Sequence, residues 1–230
     1  MEPSDALRLG LNGLPELTLQ EREAEAKKAA NQVALFFFGP RLAALGIVFL
    51  IHRFGDRDYY DAQVAFINGL TGGRWGYLYT SVVIFSWLSS WLNLSPLVQK
   101  AGILSSRNSN LLTNMFIYKV SGPENTHKLP YVFLEEGGPL GGYNRANRSL
   151  HHFTESATAM ALTIPFAGSV FPLSALVMTV FLAVGRIWHQ CSYVSLGFGG
   201  HLPGYIVSVL SSMVLEMLVL FGALKIFAVI

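Results

Sequence analysis

The sequence predicts an all-α membrane protein: a four-helix transmembrane bundle preceded by a polar arm and one additional transmembrane helix. Hydrophobic residues make up 52% of the 230 residues and charged residues only 13%, a composition too apolar for an ordinary soluble domain. Several apolar stretches reach about 20 residues, the length that an α-helix needs to cross the hydrocarbon core of a bilayer. The net charge of +2 gives no reason to expect a nucleic-acid partner. The apolar composition makes the lipid bilayer the first predicted partner.

Three regions follow one another along the chain. Residues 1–31 form a polar arm, residues 32–75 hold an additional membrane segment and its connection, and residues 76–230 hold four further predicted spans. Within the arm, Thr18 and Glu21 have the spacing of a capping box, which predicts that a helix begins there.

The additional membrane segment is residues 33–51, whose length suits a span of the bilayer. Gly39, Pro40 and Arg41 interrupt its apolar run, which predicts either a kinked span or a segment that lies in the plane of the membrane. Residues 56–58 and 71–73 predict surface turns between this segment and the next.

The four further spans are predicted at residues 77–98, 150–171, 173–196 and 205–230. Pro172 leaves almost no room for a loop between the second and the third, so these two helices are expected to be antiparallel neighbours. Residues 99–142 form a long polar connection that ends in a flexible turn region at 135–142. Basic residues are concentrated on the side of the membrane that holds this connection and the arm, which predicts that this side faces the cytosol or the mitochondrial matrix.

Two sets of polar residues stand at helical spacing where the second and third of these spans adjoin. Within about 80° of one helix lie Arg145, Arg148, His152 and Glu155, and within about 60° of the other lie Arg186, His189 and Tyr193. Because the helices are antiparallel neighbours, both sets are expected at the same membrane face. An unpaired Arg or Glu in hydrocarbon costs several kcal/mol, so these residues are expected to face one another, water or a polar ligand.

These residues also resemble a family motif. The segment Arg145-x-x-Arg148-x-x-x-x-x-x-Glu155, followed about thirty residues later by Gly185-Arg186-x-x-His189-x-x-x-Tyr193, is similar to that of the membrane-associated proteins in eicosanoid and glutathione metabolism (MAPEG). The resemblance covers roughly residues 76–228. It implies a homotrimer of four-helix protomers, with glutathione bound between subunits at the cytosolic end of the bundle.

The resemblance also implies a set of site residues. Those that would bind glutathione as a co-substrate are Arg148, His152, Glu155, His189 and Tyr193, and those that would orient the site and steady the thiolate are Arg186, His201 and Tyr205. Such side chains fit the ligand, because its two carboxylates require cations and its ammonium group requires a carboxylate. No metal site is predicted, because His151 and His152 diverge by about 100° on a helix and no well-spaced third ligand is visible.

Two departures from the family pattern leave the function open. His151 and His152 stand where family members usually carry Arg or Gln followed by Asn, and the start of the last span offers His201 and Tyr205 but no arginine. The first hypothesis is a homotrimeric glutathione transferase or peroxidase that acts on lipophilic electrophiles.

The alternative is a non-catalytic accessory subunit of a larger hetero-oligomeric membrane complex, such as a mitochondrial inner-membrane assembly. Its glutathione site would be degenerate, and its polar residues would form an internal lock in which Arg148 pairs with Glu155 or with a neighbouring subunit. The arm, the additional span and the long connection favour this alternative. Either function places the protein in an intracellular membrane, that of the endoplasmic reticulum or the mitochondrial inner membrane.

Overall fold

The computed structural model describes residues 18–101, 103, 115–121 and 131–228. The expectations for residues 1–17, for parts of the 99–142 connection and for the last two residues lie outside the described residues. The elements of the described ranges are α1 (Leu19–Phe54), α2 (Arg57–Thr71), α3 (Trp75–Ala101), β1 (Tyr118–Ser121), β2 (Tyr131–Leu134), α4 (Gly138–Val170), α5 (Pro172–Leu196) and α6 (Leu202–Ile226).

Helices α1, α3, α5 and α6 are long and apolar enough to cross a membrane. This finding confirms the predicted class of helical integral membrane protein. Helix α4 corresponds to the remaining predicted span, but its first half is polar and it does not reach the same hydropathy. Helix α4 is held in the bundle by packing against its neighbours. Its residues Met160 and Ile164 share one buried apolar cluster with Leu182 of α5 and Leu215 of α6.

Helix α1 begins as predicted and continues further than expected. Its N-terminus carries the capping box, in which the Glu21 amide donates to Thr18 Oγ1 and the Thr18 amide donates to the Glu21 carboxylate. The helix passes through Pro40 without a break. Of its described side chains, Ala29, Val33 and Phe37 are buried, and the Phe37 ring meets α3 edge to face. Beyond Arg41 the apolar side chains of α1 are exposed.

The predictions about the connections are confirmed in part. The surface turn expected at 71–73 is present after Thr71, the last residue of α2, where Gly72 has φ of 59°. At 56–58 the prediction is wrong, because Asp56 caps α2 and the helix begins at Arg57. The turn region expected at 135–142 is largely helical, because α4 begins at Gly138 with Pro139 in its first turn. Helix α2 has no buried residue, although its apolar residues recur at helical spacing.

Strands β1 and β2 form an antiparallel hairpin that was not predicted from the sequence. Lys119 pairs with Phe133 in its register, and the hairpin leads directly into α4. Each strand has four residues, too few for an alternating pattern to stand out. The hairpin lies at the same end of the bundle as the polar ends of α4 and α5.

Candidate functional site

A cavity of about 690 Å³ lies at the polar end of the bundle, between α4, α5, the start of α6 and the end of the hairpin. Six of the eight residues predicted for the site line it: Arg148, His152, His189, Tyr193, His201 and Tyr205. The expectation that polar residues of the two adjoining spans lie close together is therefore confirmed, at one end of the bundle.

Arg186 and Glu155 do not line the cavity. Arg186 is 5% exposed and lies behind the cavity wall, where it donates to Nδ1 of His152 at 2.9 Å and to the Ser156 hydroxyl at 3.4 Å. Glu155 is exposed on the outer face of α4. In a single chain, Arg186 thus acts on the cavity through His152, and the Glu155 carboxylate lies outside it.

The two arginines of α4 that line the cavity have different surroundings. Arg145 is engaged by main-chain oxygens, because its guanidinium donates to Val194 O at 2.9 Å and to Glu136 O at 2.8 Å. Arg148 is exposed, and no ion pair joins it to Glu155 or to another residue in the described ranges. Arg148 is therefore the cavity arginine that is open to a ligand.

Three imidazole rings and two phenol rings form one cluster along the cavity. His189 is at its centre: the Ser149 hydroxyl lies 3.1 Å from its Nδ1, and its ring centroid lies 5.2 Å from that of His201 and 6.0 Å from that of Tyr205. The Tyr193 ring stacks on His189 and also lies 4.8 Å from the His201 ring centroid. Groups of this kind donate hydrogen bonds to an anion or accept a proton. Within the described ranges, no group of three His, Cys, Asp or Glu has the arrangement of a metal site.

The close approach of α5 and α6 places His201 and Tyr205 in this cluster. A Cβ atom added to Gly185 would lie 2.7 Å from the Ser208 amide nitrogen, and one added to Gly204 would collide with the backbone of His189. Both positions therefore require glycine, which lets the two backbones touch. As a result the first turn of α6 lies directly against the polar end of α5.

The hairpin end forms one wall of the cavity, and two asparagines of α4 fix it there. Asn144 is 1% exposed; its side chain accepts from the Ile117 amide at 2.9 Å and donates to Ile117 O and Glu135 O, each at 2.7 Å. Asn147 donates to Met115 O at 2.8 Å. Neither residue was predicted for the site, because an asparagine in a polar helix opening gives no signal until its distant partner is known.

Two adjacent carboxylates of the hairpin end, those of Glu135 and Glu136, border the cavity. The Gly137 amide donates to Glu135 Oε1 at 2.8 Å, and the Lys119 ammonium lies 3.3 Å from the same oxygen. The Gly137 amide above all, together with Lys119, holds the pKa of the Glu135 carboxyl below its ordinary value, against the opposing effect of burial. Glu136 is exposed and makes no ion pair within the described part of the chain.

Comparison with known proteins finds no family model that matches this chain and no curated protein with significant similarity to it. The resemblance of residues 145–193 to the MAPEG motif is therefore what supports that family.

Proposed function

We propose that this protein is a MAPEG-type membrane enzyme that binds glutathione at the polar end of the bundle and joins the glutathione sulfur to lipophilic electrophiles. The observation that carries the proposal is the open guanidinium of Arg148 in a cavity that three histidines and two tyrosines line. A cation without an internal partner suits a ligand carboxylate.

The size of the cavity supports a ligand of this class. Its volume of about 690 Å³ falls within the range of roughly 300–1,000 Å³ that is typical of small-molecule sites. A tripeptide would leave room for part of a second substrate. The apolar helices around the cavity offer a lipophilic substrate a path from the bilayer.

In this proposal the thiol end of glutathione lies at the start of α6. His201 is the N-cap residue of α6, and its buried Nδ1 has no hydrogen-bond partner within the described residues. The His201 imidazole, which lines the cavity, accepts the thiol proton, while the N-terminus of α6 and the Tyr205 hydroxyl favour the thiolate. The sulfur then forms a bond to the electrophilic carbon, and the leaving group departs with the electron pair of the bond that breaks.

A homotrimer is part of this proposal. Arg148 and Glu155 are both exposed and lie seven residues apart, so they share one face of α4, with Glu155 about 10 Å further along the helix. A neighbouring subunit on this face would cover both residues and would remove Glu155 from lipid contact.

The test is glutathione binding by the detergent-solubilised full chain. Millimolar glutathione should raise the melting temperature of the native protein and of Arg74→Ala, which removes an exposed arginine at the opposite end of the bundle. Arg148→Ala should lose most of this shift. Turnover of 1-chloro-2,4-dinitrobenzene should fall in parallel. The absence of both a shift and turnover in the native chain would refute the enzyme.

A second candidate function is that of an accessory subunit in a hetero-oligomeric complex, for example of the mitochondrial inner membrane. The observation that favours it is the exposed apolar surface of α1, on which Leu42, Phe49 and Phe54 are 68%, 65% and 78% exposed. Such a surface suits either lipid or a partner helix. Purification in mild detergent, followed by mass spectrometry of the proteins present at equal stoichiometry, distinguishes this role from the homotrimer.

A further inference from the structure

The hairpin brings to the cavity a carboxylate that the family motif does not contain. Of the two glutamates at the hairpin end, Glu135 is occupied by the Gly137 amide and Lys119. Glu136 has an exposed side chain at the cavity, without an ion pair in the described ranges. Its carboxylate is therefore available to a cationic group of a bound molecule.

The position of Glu136 is held by α4. The Arg145 guanidinium donates to Glu136 O at 2.8 Å, and the buried Asn144 amide donates to the preceding carbonyl, Glu135 O, at 2.7 Å. Gly141 packs so closely against the Glu136 backbone that a Cβ atom there would overlap it. Two contacts to Glu136 and one to Glu135 thus fix the backbone that carries the Glu136 side chain.

The residue that the family motif suggests for a ligand ammonium, Glu155, is not in this cavity. It is exposed on the outer face of α4, outside the lining residues. Arg148, by contrast, lines the same cavity as Glu136. The γ-glutamyl end of glutathione carries an ammonium and a carboxylate on one carbon atom, so a site for it needs a cation and a carboxylate in the same cavity.

We propose that Glu136 is the residue that binds the ammonium group of the γ-glutamyl end of glutathione, with Arg148 on the adjoining carboxylate. This assignment rests on the proposed function, because it names the specificity-determining residue of that same site. It gives the hairpin a role: the hairpin closes one wall of the cavity and supplies the carboxylate that Glu155 does not supply within one chain.

The experiment compares two ligands that differ only at this ammonium. Dissociation constants for glutathione and for N-acetylglutathione, whose nitrogen is uncharged, are measured by calorimetry on the native full chain in detergent. The same measurements are made on Glu136→Gln, on Glu155→Gln and on Glu23→Gln, a control at an exposed glutamate of α1. Melting temperatures without ligand show whether each variant is folded.

Glu136→Gln should weaken glutathione by about tenfold or more and leave N-acetylglutathione nearly unchanged, because only glutathione loses a charge-assisted hydrogen bond. Glu23→Gln should behave like the native chain, and Glu155→Gln should show no loss that is specific to glutathione over N-acetylglutathione. An equal effect of Glu136→Gln on both ligands, no effect on either, or a glutathione-specific loss in Glu155→Gln overturns the role of Glu136 and leaves the enzyme proposal intact. A native chain that binds neither ligand refutes both proposals.

Discussion

The Arg186 guanidinium donates a hydrogen bond of 2.9 Å to Nδ1 of His152 across the contact between α4 and α5. Because an arginine can only donate, Nδ1 must accept, and the proton of the neutral ring lies on Nε2. This bond sets both the tautomer and the orientation of a ring that lines the cavity. No carboxylate pairs with Arg186 among the described residues, so the guanidinium is a buried cation without an anionic partner.

Arg186→Met should leave the fold intact and impair the site. The loss of two hydrogen bonds of about 1 kcal/mol each is offset by the removal of a buried, unpaired charge, so the free energy of unfolding should change by less than about 1 kcal/mol. Glutathione affinity should fall by about tenfold, because His152 is free to turn. Thermal melts and calorimetry measure the two effects. A large loss of stability with unchanged affinity would show that Arg186 serves the bundle instead of the site.

Gly204→Ala should destabilise the bundle. The added methyl group would collide with the His189 backbone, and separating α5 from α6 should lower the free energy of unfolding by about 1–3 kcal/mol. The matched control is Gly46→Ala in α1, where nothing lies within 4 Å and the gain in helix propensity is up to about 1 kcal/mol. Melting in detergent should separate the two variants in opposite directions. Equal melting temperatures would contradict the close contact.

Asn144→Ala should release the hairpin while the bundle stays folded. Three main-chain groups, two on Ile117 and one on Glu135, lose their partner, at a cost of about 1–3 kcal/mol for each buried group that stays unsatisfied. Limited proteolysis should cut near 115–121 and 131–135 faster in this variant. Asn93→Ala serves as the control, because Asn93 is exposed and bonds to the Ser89 carbonyl of its own helix. A cleavage rate like that of the native chain would argue against the role of Asn144.

Acid should weaken the hairpin through Glu135. The pKa of this carboxyl is lowered in the folded protein, chiefly by the Gly137 amide and then by Lys119, so its contribution to stability is complete above the ordinary pKa of 4.5. The contribution is lost as the pH falls through the lowered value. Glu135→Gln should therefore be less resistant to proteolysis of the hairpin than the native chain at neutral pH. The difference should shrink below about pH 4.5 when an acid-active protease is used; a difference that grows in acid would contradict the assignment.

Local features of the sequence were enough to predict the class of protein and much of the site. Hydropathy and segment length indicated the spans at residues 77–98, 173–196 and 205–230. An apolar run of about 20 residues matches the thickness of the hydrocarbon core and is unfavourable when exposed to water. Pro172 indicated that α4 and α5 are antiparallel, since a one-residue connection leaves no other arrangement. Helical spacing then placed the polar residues of both helices at one end.

The tertiary structure alone decided which polar residues share the cavity and what encloses it. Arg148 and Glu155 lie on the same face of α4, yet Arg148 lines the cavity and Glu155 lies outside it, because Glu155 is about 10 Å further along the helix, beyond the cavity. The hairpin wall depends on Asn144, whose partner Ile117 is 27 residues away. Contacts over such separations follow from the folded arrangement of the helices, and no spacing in the sequence encodes them.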